Sequence, residues 1–161
     1  MKKISYLLVI IFLAANIFSC SGYKPIFSSS NFKFKIADYT ISGDKNLGNK
    51  IYSKLKYLSQ NNENSDDAKD IFILINTVKN KNETSKDSSG KALYYKINLS
   101  TTIIVKNYIT EEEILNEKLT FGSSYKVQNQ YSETLIIENK IVENLINKTY
   151  EELLIKLTQN I

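Results

Sequence analysis

From Leu93 to Lys106 the sequence alternates without a break: Leu93, Tyr95, Ile97, Leu99, Thr101, Ile103 and Val105 fall on one side, and Tyr94, Lys96, Asn98, Ser100, Thr102, Ile104 and Lys106 on the other. Successive side chains of a strand point to opposite faces, so this period of two predicts one long half-buried strand running towards Tyr108. A strand of that length needs neighbours on its edges and a cover over its apolar face. It commits the chain to a sheet, and the remaining segments must supply the partners and the cover.

They do so in a definite order. Phe32, Phe34 and Ile36 alternate with Lys33 and Lys35 in a first strand that ends near Ile41 and is closed by Gly43-Asp44. Asp44 then caps a helix whose apolar stripe is Leu47, Ile51, Leu55 and Leu58, with Lys50, Lys54 and Lys56 outside. After a polar connection over 61–67, the run Ile71 to Ile75 reads as a short central strand, and Asn80 to Gly90 reads as a polar loop leading into the long strand. A turn near Tyr108 to Glu113 precedes a further strand carrying Leu115, Leu119 and Phe121 and ending near Gly122-Ser123-Ser124. From Ser132 onward, Leu135, Ile136, Val142, Leu145, Ile146, Leu153 and Leu157 form the stripe of a long helix, with Glu133, Glu138, Glu143, Lys148 and Lys156 on its polar side. The expected fold is α+β in two layers: a mixed four-stranded sheet with two helices on one face, in the order β-α-β-β-β-α.

Composition narrows the chemistry. The chain has no His and one Cys, which excludes a Cys/His zinc site, a Ser-His-Asp triad and a Cys-His nucleophile. No Gly-rich phosphate loop, metal-ligand cluster or nucleophile elbow occurs, so no cofactor, no metal and no catalytic residue is expected. The three acids Glu111-Glu112-Glu113 stand in a strand-connecting turn, where a solvated loop is the ordinary reading. The formal charge is +4, and Lys2 and Lys3 supply two of those positive charges; the remainder is too weak a field for nucleic acid to be an expected partner.

The N-terminus holds the most specific signal. Met1-Lys2-Lys3 precedes an apolar run from about Ile4 to Ala15, too short to span a bilayer comfortably, which marks residues 1–19 as a signal peptide. The single Cys20 follows it, with Ile17 three places before and the small Ser19 directly before, the pattern of a lipoprotein signal; Phe18 between them is bulkier than usual. An unpaired thiol in an exported chain calls for a covalent role, and lipid on Cys20 would supply one. A single acyl chain anchors marginally at about 0.8 kcal/mol per buried methylene, whereas several anchor stably. Residues 20–31, with Pro25 and Ser28-Ser29-Ser30, then read as a tether to a single domain over 32–161. Ser21, where an Asp would favour inner-membrane retention, points to the outer membrane by analogy.

Taken in order, these pieces resemble the lipopolysaccharide-assembly lipoprotein family, LptE. Cys20-Ser21-Gly22-Tyr23-Lys24-Pro25-Ile26-Phe27 is similar to that family's Cys-Gly-aromatic-x-Pro-aliphatic-aromatic start, with Ser21 as one extra residue. Leu47 to Leu58, Tyr94 to Leu99, and Phe121-Gly122-Ser123-Ser124-Tyr125 before a helix at Tyr131-Ser132 continue the likeness over nearly all of the mature chain. The resemblance implies a non-enzymatic role: an outer-membrane, periplasm-facing lipoprotein that plugs the LptD β-barrel and helps place lipopolysaccharide in the outer leaflet. Only Cys20 and the segment from Gly22 to Phe27 carry over residue by residue.

For ligand contact, Lys79, Lys81, Lys86 and Lys91 around the expected loop can meet the phosphates of an anionic glycolipid, although Glu83 and Asp87 dilute them and a solvated loop is the plainer reading. Lys86 and Lys91 are the candidate ligand residues, and Ser123 is the candidate for contact with a barrel. The long strand is also expected to project beyond its shorter neighbours and leave an open edge. The competing assignment is a lipoprotein component of a lipid or solute ABC-type transporter, for which a neighbouring permease gene would be the discriminating observation.

Overall fold

The computed structural model describes residues 34–60 and 68–161. The expected leader, the tether, Cys20, the strand start at Phe32 and the 61–67 connection lie outside the described residues. The elements are β1 (Phe34–Gly43), α1 (Lys45–Gln60), β2 (Lys69–Lys86), β3 (Ala92–Asn107), β4 (Glu113–Lys126) and α2 (Tyr131–Asn160). The strands lie side by side in chain order. β1 and β2 are parallel and joined through α1, as a parallel pair requires a crossover, while β2, β3 and β4 form an antiparallel meander. The sheet is therefore mixed and the fold is the expected α+β arrangement.

Both helices cover one face. Ile71, Ile73 and Ile75 of β2, Ile97, Leu99, Ile103 and Val105 of β3, and Leu115 and Leu119 of β4 are buried beneath Leu47, Ile51 and Leu55 of α1 and Val142, Leu145, Ile146, Leu153 and Leu157 of α2. The Asp44 carboxylate accepts a hydrogen bond from the Leu47 backbone N–H at 3.2 Å and starts α1. Just before it, Gly43 turns the chain with φ +71°, and a Cβ there would fall 2.3 Å from the carbonyl oxygen of Thr77, so only glycine fits. The other face of the sheet is half-exposed and mixes Asn76, Asn98, Ser100 and Thr102 with Phe72, Leu74 and Ile104.

Three expectations need correction. Asn80 to Lys86 is strand, not loop: β2 stays in register with β3 as far as Lys86 opposite Ala92. The long alternating strand offers a ready ladder, and backbone pairing extends the hairpin even where the added side chains are polar and exposed. The true turn is Asp87 to Lys91. There the Asp87 carboxylate accepts from the Ser89 N–H, the Ser89 hydroxyl and the Lys91 N–H, and Gly90 supplies the positive φ. It follows that β3 has no projecting edge, because β2 and β4 pair with it along nearly its whole length. The open edges are those of β1 and β4, together with β2 beyond Thr77, where β1 stops. Finally, the start of α2 departs from the expected stripe: Ile136 is 68% exposed and Leu135 is exposed, while Glu138 turns towards the sheet.

Candidate functional site

The sheet has two distinct ends. At the proximal end β1 begins, β3 passes into β4 and α2 finishes; at the distal end lie the Asp87–Lys91 turn and the start of α2. α1 covers the sheet only as far as β1 reaches. Beyond Thr77 the helix-covered face of β2, β3 and β4 is met by the first turns of α2.

A cluster of four side chains joins these parts. The Lys81 ammonium of β2 donates to Glu138 Oε2 of α2 at 2.6 Å, and the Tyr125 hydroxyl of β4 donates to the same oxygen at 2.8 Å. Tyr95 of β3 stacks with Tyr125 at 5.9 Å between ring centres, and the Lys81 nitrogen stands 4.4 Å from the centre of the Tyr95 ring. Partial burial on its own would lower the Lys81 pKa, but the hydrogen bond to Glu138 and the charge beside it outweigh that and raise it. For Glu138, 14% exposed in its side chain, burial pushes upward, and the hydrogen bonds from Lys81 and Tyr125 prevail and hold the carboxyl below its ordinary range. Burial raises the Tyr125 phenol, which stays a neutral donor.

Beside the cluster opens a cavity of about 270 Å³ whose lining includes Lys81, Lys91, Tyr95, Gln128, Tyr131 and Leu135. Tyr131 is 77% exposed at its rim. The wall thus offers the Lys91 ammonium, the Lys81 ammonium already paired with the Glu138 carboxylate that also lines the cavity, an amide, phenol rings and an aliphatic patch. That set suits a polar ligand with anionic groups and an apolar portion. Among the described residues, no group of three His, Cys, Asp or Glu side chains is placed to hold a metal ion.

The sequence-derived candidates divide. Lys91 lines this cavity. Lys86 sits at the end of β2, paired with Glu83 at 2.7 Å on the exposed surface, where that carboxylate raises its pKa. Ser123 is not brought to them: it lies opposite Ile97 on β4 and lines a separate groove of about 360 Å³ with Ile141, Asn144 and Lys148 of α2. Tyr95, Tyr125 and Glu138 were not expected in a site. Tyr95 looks like an ordinary core position in a period-two pattern, Tyr125 lies past the expected end of its strand, and the helical period puts Glu138 on the polar side; only the extended hairpin brings Lys81 to it.

The architecture defines a structural class: a four-stranded mixed sheet with both helices on one face. Two solved bacterial proteins share it. Lipoprotein B from Nitrosomonas europaea is 13% identical, covers 83% of this chain and 88% of its own, and superposes with a TM-score of 0.57. The minor lipoprotein from Acinetobacter baumannii is 14% identical, covers 79% and 94%, and gives 0.56. At these identities the likeness is one of fold. No protein-family model and no curated protein sequence matches the chain.

Proposed function

We propose that this chain is a lipid-anchored envelope lipoprotein of the LptE type, modified on Cys20, that lodges in an LptD-type β-barrel of the outer membrane and assists the placement of lipopolysaccharide. It is a binding and assembly role and assigns no reaction. The observation that carries it is the pairing of a lone cysteine at the end of the leader with a domain whose fold recurs in bacterial lipoproteins. Two features of the surface support it. A barrel lumen is polar and wet, which suits an uncovered sheet face of Asn, Ser and Thr broken by a few apolar side chains. The distal cavity, with Lys91 and Tyr131 at its wall, suits the phosphates and sugar of an anionic glycolipid.

The test is affinity purification of the native protein from detergent-solubilised outer membranes. The expected result is stoichiometric recovery of a large barrel protein with a Cys20 that carries diacylglycerol and an acylated amino terminus by mass spectrometry. A clean monomer, or recovery with an ABC permease instead, overturns the barrel assignment, and an unmodified Cys20 overturns the anchor.

A further inference from the structure

The most exposed large apolar side chain among the described residues lies at the opposite end from the candidate site. Ile109 is 80% exposed and its neighbour Tyr108 is 51% exposed, at the tip of the turn between β3 and β4. The turn is firmly built. The Asn107 side-chain oxygen accepts from the Ile109 and Thr110 N–H groups, each at 2.9 Å, and the Tyr108 N–H donates to the Asp70 carbonyl of β2. Glu111 closes it with φ +58°. Phe72, on the uncovered face of the sheet, lines a cavity of about 310 Å³ with Lys106, Tyr108 and Glu111 directly behind the tip. A rigid turn that holds an isoleucine and a tyrosine out into solvent presents them to something.

The position of the tip says what. β1 enters the sheet at Phe34, paired with Lys69, and the Tyr108 N–H is bonded one residue further along β2 at Asp70, so the chain arriving from Cys20 reaches the domain at the same end as Tyr108 and Ile109. Fourteen residue steps separate Cys20 from Phe34, a reach of at most about 50 Å at roughly 3.6 Å per step. The distal turn lies a further 55 Å or so away along β2, at about 3.3 Å per residue. A bilayer holding lipid on Cys20 therefore lies within easy reach of the proximal tip, and at the limit of reach of the distal one. Tyrosine settles at the headgroup level and isoleucine in the acyl boundary. Lys69 and Lys106 are offset by Asp70, Glu111 and Glu112, so the surface favoured is zwitterionic rather than anionic.

We propose that Tyr108 and Ile109, backed by Phe72, are a second membrane contact that seats in the interface of the bilayer carrying the Cys20 lipid, at the periplasmic rim of the barrel, and fixes the orientation of the domain so that the distal end stays out of the lipid. This rests on the anchoring of Cys20 proposed above. The chain has no Trp, so Ile109→Trp introduces a single reporter. The full-length protein is reconstituted in phosphatidylcholine vesicles with brominated acyl chains; a second preparation without lipid modification is coupled through its one cysteine to a maleimide lipid in the same vesicles. That second arm tests the contact whether or not nature lipidates Cys20, which mass spectrometry decides separately. The expected result is blue-shifted emission and several-fold stronger quenching for Ile109→Trp than for Tyr131→Trp at the distal rim. Unshifted, unquenched emission at Ile109 overturns the proposal, as does quenching that is equal at the two ends. A blue shift that grows with protein concentration and is not quenched by brominated lipid also overturns it, in favour of a contact between copies.

Discussion

The proximal and distal halves of the sheet are held by different forces. Around Ile73, Ile75, Ile103 and Val105 the strands lie beneath both helices and the interior is apolar. Past Thr77 β2 carries no further buried apolar side chain and α1 is absent; Leu99 and Ile97 of β3 continue the apolar layer, and one carboxylate with two donors ties hairpin, edge strand and helix together. Burial of aliphatic side chains contributes about 25 cal/mol per Å² wherever it occurs, whereas a polar cluster of this kind contributes a modest net amount and loses more when it is broken than it gains when it is made. The fold is thus secured proximally, and the distal end is free to carry aromatic and basic side chains.

The most damaging change is expected in the apolar core beneath α2. Leu145→Asp places a carboxylate against the sheet at a fully packed position and is expected to cost about 4 kcal/mol or more, enough to unfold a marginal domain, as read from urea unfolding. Near-normal stability would mean that the face of α2 is misassigned.

Second in size is Glu138→Ala. It leaves the Lys81 ammonium and the Tyr125 hydroxyl without their shared acceptor, and the expected loss is about 1–2 kcal/mol, because Lys81 is in part solvated and screened. The loss is local: hydrogen exchange is expected to speed up in Lys79 to Lys86 and in the first turns of α2, and to stay unchanged from Ile71 to Ile75. Equal acceleration in both halves would erase the distinction between them. pH gives the same partition. The folded pKa of Glu138 is depressed, so its contribution is present above the ordinary carboxylate pKa of about 4.3 and is lost as pH falls through the folded value. Lys81 is raised, so its contribution is complete below about 10.4 and disappears only above that. Loosening of the distal end is therefore expected below about pH 4 and absent between about pH 5 and 10, and Glu138→Gln is expected to flatten the acid limb.

The smallest effect has the opposite sign. Thr77 and Thr101, register partners on β2 and β3, are buried with hydroxyls that find no hydrogen-bond partner. Thr101→Val is expected to raise stability by about 1 kcal/mol, because it removes an unsatisfied polar atom while keeping the shape. Destabilisation would show that the hydroxyl has a partner, such as a buried water.

The same contrast explains what could be read from the chain. The proximal half follows simple periods: alternation gives β3 and its buried face, the spacing of Leu47, Ile51 and Leu55 gives α1, and the order of elements gives the layers. In the distal half β3 keeps its alternation, but the part of β2 that pairs with it obeys no apolar period. Lys79 to Lys86 is polar throughout and becomes strand only because β3 offers a ladder, so it looked like a loop. Misplacing it hid the meeting of Lys81 with Glu138, two residues separated by 57 positions. Lys91 was legible from charge and turn context; Tyr95 was legible as an inward position but not as part of a site, and Tyr125 lay past the expected end of its strand near Ser124, whereas β4 runs on to Lys126. Ile136 was misread because a continuous helical stripe was carried past the point where the sheet still needs cover.

If, as proposed, the distal end of an anchored domain meets the barrel and its cargo, site-specific photo-crosslinking in intact envelopes will register it. Probes at Lys86, Lys91 and Ser123 are predicted to capture the barrel protein or lipopolysaccharide, and one at Lys54 on the exposed side of α1 to do so far less. Adducts formed equally from Lys54, or only from the 20–31 segment, would reduce the domain to a tethered bystander and rule out the barrel assignment.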